Sequence, residues 1–305
     1  MRAVFVDAND TLAAIAEKLR REGDPPVSIN RDPDVTPDEL PAVLADAEIA
    51  IIDHTHLPTL LAAKCRDLKH VVFLGTGARS YMNPEELAGR GITVDIIKGY
   101  GDTAVAECAI ALMWASAKGC TRMDRGMRAG QWLGIEGVQL TGKTLGLVGF
   151  GGVAAEVARI ALGSGMKVVA WNRSPRTYPG VEFVSLEQVL RQSDVVSLHL
   201  LLTDETKGFL SRERIAAMRP GVILVNTARG ALVDEEAMIA ALRSGHIRHA
   251  GLDVFAIEPL PADHILTTLE NVTLSAHSAV RTPEASDNLI GAALDHCRRI
   301  AATSR

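Results

Sequence analysis

The chain has 305 residues, of which 47% are hydrophobic, 23% charged and 4% aromatic. This composition is ordinary for a globular protein and excludes the disordered, collagen-like and coiled-coil classes, and the length allows two domains with a large core. The net charge of -5 excludes a nucleic acid or an anionic membrane surface as an expected partner.

The N-terminus and the cysteines predict a cytoplasmic protein. In the first seven residues, MRAVFVD, the apolar run before the acid is only four residues long, whereas a signal peptide needs an apolar region of about 7 to 15. No run approaches the roughly 18 apolar residues of a membrane span. The four cysteines form no CxxC pair, so we expect reduced thiols and no disulfide.

The first hundred residues alternate short apolar runs with stretches of helical periodicity. Strands are predicted at 3–7, 50–53 and 71–74, and helices at about 11–21 and 37–45. This alternation is typical of βαβ units that form a parallel sheet, so the region is predicted to be α/β.

Two longer helices are predicted on either side of a second α/β region. In the first, from about 102 to 123, apolar residues recur at spacings of three and four. The second runs from Pro283, which suits a first helical turn, to about residue 301, with Thr282 as its N-cap. Helices of this kind can connect two domains.

Six strands are predicted between these helices, at 144–148, 167–171, 195–199, 222–226, 249–253 and 272–274. Six strands with intervening helices fit a complete doubly wound, dinucleotide-binding fold. We therefore expect one domain at 1–99, completed by the C-terminal segment 283–305, and a second at 100–282.

The first of these six strands runs into a glycine-rich turn with the pattern G-x-G-x-x-A, which ends at Ala154. The first glycine of this motif makes a tight turn and the second lets the backbone approach a pyrophosphate. The following helix offers N–H donors and a partial positive charge. The turn therefore predicts a dinucleotide site at Gly149, Gly151, Gly152 and Val153.

The second strand ends in Asn172, Arg173 and Ser174, where an Asp or Glu would hold the ribose 2′-hydroxyl of NAD. Asn172 has no charge to repel a 2′-phosphate, and Arg173 with Ser174 can bind one. These residues predict NADP as the cofactor, with NAD possible. The alternative is an ordinary polar turn.

Three further polar segments each follow a predicted strand and contain, in chain order, Arg229, Glu258 and His277. Ligands bind outside the carboxyl ends of parallel strands. We therefore expect the three side chains to converge as an oxyanion binder and a general acid oriented by a carboxylate. Taken singly, each has a structural alternative: a helix cap, a loop acid and a structural histidine.

These segments, together with the glycine turn, resemble the D-isomer-specific 2-hydroxyacid dehydrogenases, a family that includes glyoxylate/hydroxypyruvate reductases, D-lactate dehydrogenases and phosphoglycerate dehydrogenases. The resemblance covers nearly the whole chain. It extends to Val105-Ala106-Glu107, to Arg128-Ala129-Gly130-Gln131-Trp132 and to the run from Ser197 to Thr203. It implies a Rossmann-type cofactor domain, a smaller flavodoxin-like substrate domain and a homodimer.

The resemblance also implies residue roles. Arg229 would bind the substrate carboxylate and carbonyl, Glu258 would be the partner of His277, and His277 would donate a proton to the carbonyl oxygen. Backbone N–H groups at Thr76 and Gly77 would hold the substrate carboxylate.

For the cofactor, the resemblance implies that Asp253 contacts the nicotinamide amide. Further cofactor contacts are implied at Thr203, Thr227 and Ala228. No metal is expected, because the pair His54 and His56 has no apparent third ligand.

The implied reaction is reduction of a small 2-oxo acid, of the glyoxylate or hydroxypyruvate class, to the D-2-hydroxy acid by NADPH. Related formate and phosphite dehydrogenases are disfavoured, because Thr76 stands where phosphite enzymes have Lys and Glu258 where formate enzymes have Gln. A second alternative, a dinucleotide-binding sensor or interaction protein of the same fold, stays open. Departures from the family pattern at Cys108, 79–83, Leu201 and 278–282 concern substrate contacts.

Overall fold

The computed structural model describes residues 1–303. It divides into two compact units, one formed by residues 1–101 with the C-terminal segment from 281, the other by residues 102–280. The predicted C-terminal segment ends with residues 304 and 305, which lie outside the described residues.

The strands are β1 (Ala3–Phe5), β2 (Val27–Ile29), β3 (Ile49–Ile52), β4 (His70–Phe73), β5 (Thr93–Ile96), β6 (Thr144–Val148), β7 (Lys167–Trp171), β8 (Val181–Phe183), β9 (Val195–Leu198), β10 (Val222–Asn226), β11 (Ile247–Leu252) and β12 (Val272–Leu274). The α-helices are α1 (Asp10–Leu19), α2 (Leu40–Leu44), α3 (Thr59–Ala62), α4 (Pro84–Ala88), α5 (Asp102–Lys118), α6 (Cys120–Arg128), α7 (Gly152–Gly163), α8 (Leu186–Gln192), α9 (Arg212–Ala216), α10 (Glu235–Ser244) and α11 (Pro283–Thr303).

The first unit is a five-stranded parallel sheet in the order β2-β1-β3-β4-β5. This is the strand order of flavodoxin-like folds. Its strands are apolar because both faces are covered, and the apolar stripe of α11 joins α1 in covering one face, with Leu289, Ile290 and Leu294 in the core.

A partly buried ion pair anchors α11 to the loop after α1. Nε and Nη2 of Arg298 each donate to an oxygen of Asp24 at 2.7 Å. The Arg298 guanidinium lowers the pKa of Asp24 to about 2. The carboxylate therefore stays charged at any pH in which the protein is expected to work, and the C-terminal helix remains attached to the first unit.

The second unit is a seven-stranded parallel sheet in the order β12-β11-β10-β9-β6-β7-β8. The order reverses between β6 and β9, and this switch point opens a crevice outside the strand ends. Helices α5 and α7 pack on one face around Met113 and Val157, and α8 and α10 on the other around Val189 and Met238. The predicted α/β class, with a Rossmann-type sheet and a smaller flavodoxin-like sheet, is confirmed.

Three strands and one helix break were missed in the sequence. The sequence predicts three strands in the first unit and six in the second. The structure has five and seven, because it also contains β2, β5 and β8. All three lie at sheet edges. These strands are short, and most of their side chains are partly or fully exposed. The single helix predicted at 102–123 is wrong: Gly119, at φ +67°, ends α5 and starts α6, and a Cβ at this position would lie 3.0 Å from Cγ2 of Ile135.

Within residues 1–303, no helix combines the length and the apolar character that crossing a membrane requires.

Candidate active site

The glycine turn between β6 and α7 leaves the backbone open where a phosphate group would lie. Gly149 has φ +90°, and a Cβ there would lie 2.6 Å from the carbonyl oxygen of His199, which directly follows the adjacent strand β9. A Cβ on Gly151 would meet nothing within 4 Å. The first glycine is therefore required by the turn, and the second exposes N–H groups at the start of α7 to a ligand.

The side chain of Asn172 ties this turn to the end of β7. Its Oδ1 accepts a hydrogen bond from the N–H of Phe150 at 3.0 Å, and its Nδ2 donates to the carbonyl of Ser174 at 2.8 Å. Arg173 projects into solvent with 84% of its side chain exposed, 3.5 Å from the carboxylate of Glu205. An exposed guanidinium is thus available after the end of β7, with the carboxylate of Glu205 beside it.

An unpaired buried hydroxyl marks the ligand edge of β10. Among residues 1–303, only Ser116 and Thr227 have a buried side-chain oxygen that lacks a hydrogen-bond partner. Thr227 directly follows β10, next to the partly buried Ala228. Buried polar groups are normally bonded, so a ligand atom would satisfy Thr227. This hydroxyl and the open Gly151 fit a dinucleotide that lies across the strand ends.

Thr203 lies in the exposed loop after β9, where its N–H donates to Oγ1 of Thr206 at 2.7 Å. In the preceding strand end, burial lowers the pKa of His199 to about 4, and its Nε2 lies 2.9 Å from Oγ of Ser197. His199 is therefore a neutral structural residue beside the glycine turn.

Arg229 is held by the loop that follows β10. The fully buried amide of Asn226 accepts from the N–H of Ala228 at 3.0 Å and donates to the carbonyl of Arg229 at 2.9 Å. The exposed Arg229 side chain donates from Nη1 to the carbonyl of Ala228 at 2.6 Å. A guanidinium has five N–H donors, so Arg229 has donors left to bind an oxyanion while the loop holds its backbone in place.

The loop after β11 carries Glu258 and touches the Arg229 loop. A Cβ on Gly230 would lie 1.9 Å from the carbonyl carbon of Phe255, so only glycine allows this contact. One oxygen of Glu258 accepts from the N–H of Phe255 at 2.8 Å, and the other lies 2.6 Å from Nδ1 of His277. Since Nδ1 faces a carboxylate, Nε2 is the His277 nitrogen left to face a substrate.

His277 itself occupies the left-handed region, with φ 48°, which costs a residue other than glycine about 1 kcal/mol or more. The buried carboxylate of Asp253 holds this turn. Oδ1 accepts from Oγ of Ser275 at 2.6 Å and from the N–H of Ser278 at 3.1 Å, and Oδ2 accepts from the N–H of Ala279 at 3.0 Å. Asp253 thus positions His277, and its contact with the nicotinamide stays a prediction.

Arg229, Glu258 and His277 follow the adjacent strands β10, β11 and β12. Glu258 contacts His277 directly, and the residue after Arg229, Gly230, approaches the loop that carries Glu258. Thr76 and Gly77 belong to the first unit, where both are exposed in the turn that follows β4. Nothing lies within 4 Å of a Cβ on Gly77, and Gly75 before it has φ +141°. This turn is therefore exposed and has open space beside Gly77.

Sequence reasoning did not single out Asn226 or the structural bonds of Asp253. An Asn between a strand and a turn could have indicated such a role, because its side chain often forms a hydrogen bond with the backbone two residues further along the chain. Over residues 1–303, no three His, Cys, Asp or Glu side chains group so that they could hold a metal ion.

Residues 110–279 match the family model of the "D-isomer specific 2-hydroxyacid dehydrogenase, NAD binding domain". The chain is 38% identical over 255 residues to hydroxypyruvate reductase of Thermotoga maritima, which covers 81% of this chain and 83% of that protein. It is 34% identical over 271 residues to glycerate dehydrogenase of Methylorubrum extorquens, covering 86% and 85%. A crystal structure of a glyoxylate reductase from Paecilomyes thermophila superposes with a TM-score of 0.86 at 28% identity, covering 100% of this chain and 96% of that one.

The chain therefore belongs to the D-isomer-specific 2-hydroxyacid dehydrogenase family, as the sequence motifs predicted. Its second unit contains the nicotinamide-dinucleotide-binding domain of that family.

Proposed function

We propose that the protein reduces a small 2-oxo acid, of the glyoxylate or hydroxypyruvate class, to the D-2-hydroxy acid with NADPH as the reductant. The observation that carries this proposal is the 2.6 Å contact between Glu258 and His277, beside Arg229 on the neighbouring strand end. The relatives named as hydroxypyruvate and glyoxylate reductases support the substrate class.

In the proposed mechanism, the guanidinium of Arg229 binds the carboxylate and carbonyl oxygens of the substrate. N–H groups of Thr76 and Gly77 bind the same carboxylate. His277, doubly protonated with Nδ1–H on Glu258, donates the Nε2 proton to the carbonyl oxygen as negative charge develops there. The carboxylate of Glu258 orients the imidazole through its 2.6 Å contact with Nδ1.

The dinucleotide, when bound, supplies the hydride that goes to C2. Gly149, Gly151, Gly152 and Val153 would hold its pyrophosphate, and Asn172, Arg173 and Ser174 its adenosine ribose with the 2′-phosphate. At the nicotinamide end, we assign the contacts to Thr203, Thr227, Ala228 and Asp253.

The proposal is tested by one panel of oxo acids assayed with both reduced cofactors. Glyoxylate, hydroxypyruvate, pyruvate, phenylpyruvate and larger 2-oxo acids would each be supplied with NADPH and with NADH. We expect the highest kcat/KM with glyoxylate or hydroxypyruvate. Tight cofactor binding without turnover of any oxo acid would favour the alternative, a dinucleotide sensor.

Cofactor preference depends on Arg173. A charge-assisted hydrogen bond to the 2′-phosphate is worth about 1.5 to 3 kcal/mol, so we expect a roughly 10- to 150-fold preference for NADPH in kcat/KM. Arg173→Ala should shrink this preference, mainly through the KM for NADPH. Glu205→Gln is the matched opposite change: it removes the carboxylate 3.5 Å from Arg173 and should enlarge the preference. Equal use of both cofactors by the unmodified enzyme would refute the NADPH assignment.

We also propose that the enzyme is a cytoplasmic homodimer. The dimer is supported by the segment from Met127 to residue 139, which is mostly exposed and forms no helix or strand beyond Arg128. Trp132 in this segment is 89% exposed and Met127 54% exposed, and such apolar exposure favours a self-complementary contact. We expect a dimer in sedimentation and a monomer for Trp132→Asp. The control, Leu60→Asp in the other unit, should stay dimeric.

A further inference from the structure

Asp102, the first residue of α5, lies against the first residue of the dinucleotide-binding helix α7. A Cβ on Gly152 would lie only 1.7 Å from Oδ2 of Asp102, so this oxygen contacts the Gly152 backbone. Both residues belong to the second unit. The glycine turn therefore has a carboxylate beside it that the sequence motif does not include.

Within residues 1–303, no cationic side chain pairs with the carboxylate of Asp102. It makes no hydrogen bond or ion pair in the part of the chain from 1 to 303. Its half-buried position raises the pKa, and the negative charge of Glu156 on α7 raises it further. Glu156 itself pairs with Arg159 at 2.9 Å, so that arginine is engaged and does not neutralise Asp102.

A dinucleotide would bring its pyrophosphate, with two negative charges, to this end of α7. The N-terminus of a helix attracts an anion, and at the start of α7 the carboxylate of Asp102 already supplies one negative charge. At separations of several Å near a protein surface, two like charges repel appreciably. Asp102 therefore opposes the ligand that the neighbouring glycines are shaped to accept.

We propose that Asp102 is a determinant of dinucleotide affinity, whose carboxylate repels the pyrophosphate at Gly152 and so favours release of the oxidised cofactor after each turnover. This inference depends on the proposed position of the pyrophosphate at the glycine turn. It concerns both cofactors equally, because NADH and NADPH carry the same pyrophosphate.

The test is direct binding without a substrate. Asp102→Asn keeps the shape and removes the charge, and it should lower the Kd for both NADPH and NADH about tenfold. The matched control is Glu156→Gln, a carboxylate on α7 that is already paired, which should change either Kd by less than about twofold. The Arg173 variant, by contrast, should affect NADPH alone.

A second measurement uses the unmodified enzyme. Because the pyrophosphate disfavours the charged carboxylate, binding should be accompanied by proton uptake at mildly acidic pH. Calorimetry of NADH binding at pH 5 to 6 in two buffers of different ionisation enthalpy would measure it, and Asp102→Asn should reduce it.

Unchanged or weaker binding by a folded Asp102→Asn protein would overturn the inference. The absence of proton uptake by the unmodified enzyme would also overturn it, and this measurement does not require a folded variant. If the unmodified enzyme binds neither cofactor, the proposed function fails instead, and the two failures are therefore distinguishable.

Discussion

Replacement of His277 by alanine is expected to lower kcat for 2-oxo acid reduction by about 10²- to 10⁴-fold, the usual contribution of a positioned general acid. The Kd for NADPH should hardly change, because His277 is held by the 275–279 turn and not by the glycine turn. Single-turnover kinetics with a saturating oxo acid would measure the loss in the chemical step. A decrease below about tenfold would exclude His277 as the proton donor.

Glu258→Gln provides the matched test of the pair. The amide keeps the size of the side chain but removes the charge 2.6 Å from Nδ1, and a hydrogen bond to a charged group is worth about 1.5 to 3 kcal/mol. We therefore expect about a 10- to 150-fold lower kcat. In His277→Ala, the added Glu258→Gln change should cost little more, because residues that act as a unit are not additive. Additive losses would show that Glu258 acts independently of His277.

Arg229→Lys is expected to lower kcat/KM for the oxo acid by about 10- to 150-fold, since lysine retains the charge but not the planar pair of donors that a carboxylate accepts. Most of this loss should come through the KM, with the Kd for NADPH nearly intact. Kinetics with glyoxylate or hydroxypyruvate would measure both.

The control for Arg229→Lys is Arg191→Lys on the exposed last turn of α8, which should leave kinetics unchanged. If Arg229→Lys altered only the melting temperature, the role of Arg229 would be purely structural, through the hydrogen bond from Nη1 to the carbonyl of Ala228.

The central strands of both sheets were predictable because buried parallel strands are short and continuously apolar, and β6, β7 and β10 end where the sequence predicted. The edge strand β12 was predicted as well, since two of its three residues are buried. The other edge strands, β2, β5 and β8, were missed because at most one residue in each is buried and none shows a clear alternation. Gly119 was hidden inside an apolar periodicity, which continues on both sides of the break.

For the site, the order of strands and polar residues along the chain placed Arg229, Glu258 and His277 at one edge of the sheet, and the structure has Glu258 in contact with His277. The bonds that fix them were not predictable. The bonds of Asn226 and two of the three bonds to the Asp253 carboxylate run between side chain and backbone, and the third comes from Oγ of Ser275. The positive φ of His277 depends on these three bonds to a residue that directly follows β11. Such contacts follow from register and loop path, which composition and periodicity do not specify.

The contact of Gly230 with the Phe255 backbone has a consequence for how substrate range can evolve. The loops that carry the reacting groups are joined backbone to backbone, and Asn226, Gly230 and Asp253 leave little freedom to reshape one loop alone. The turn at Thr76 and Gly77 comes from another sheet and has open space around it. On the proposed assignment of substrate binding to this turn, variation at Thr76 and Gly77 would change which acids are accepted, whereas the joined loops that carry Arg229, Glu258 and His277 would be inherited together.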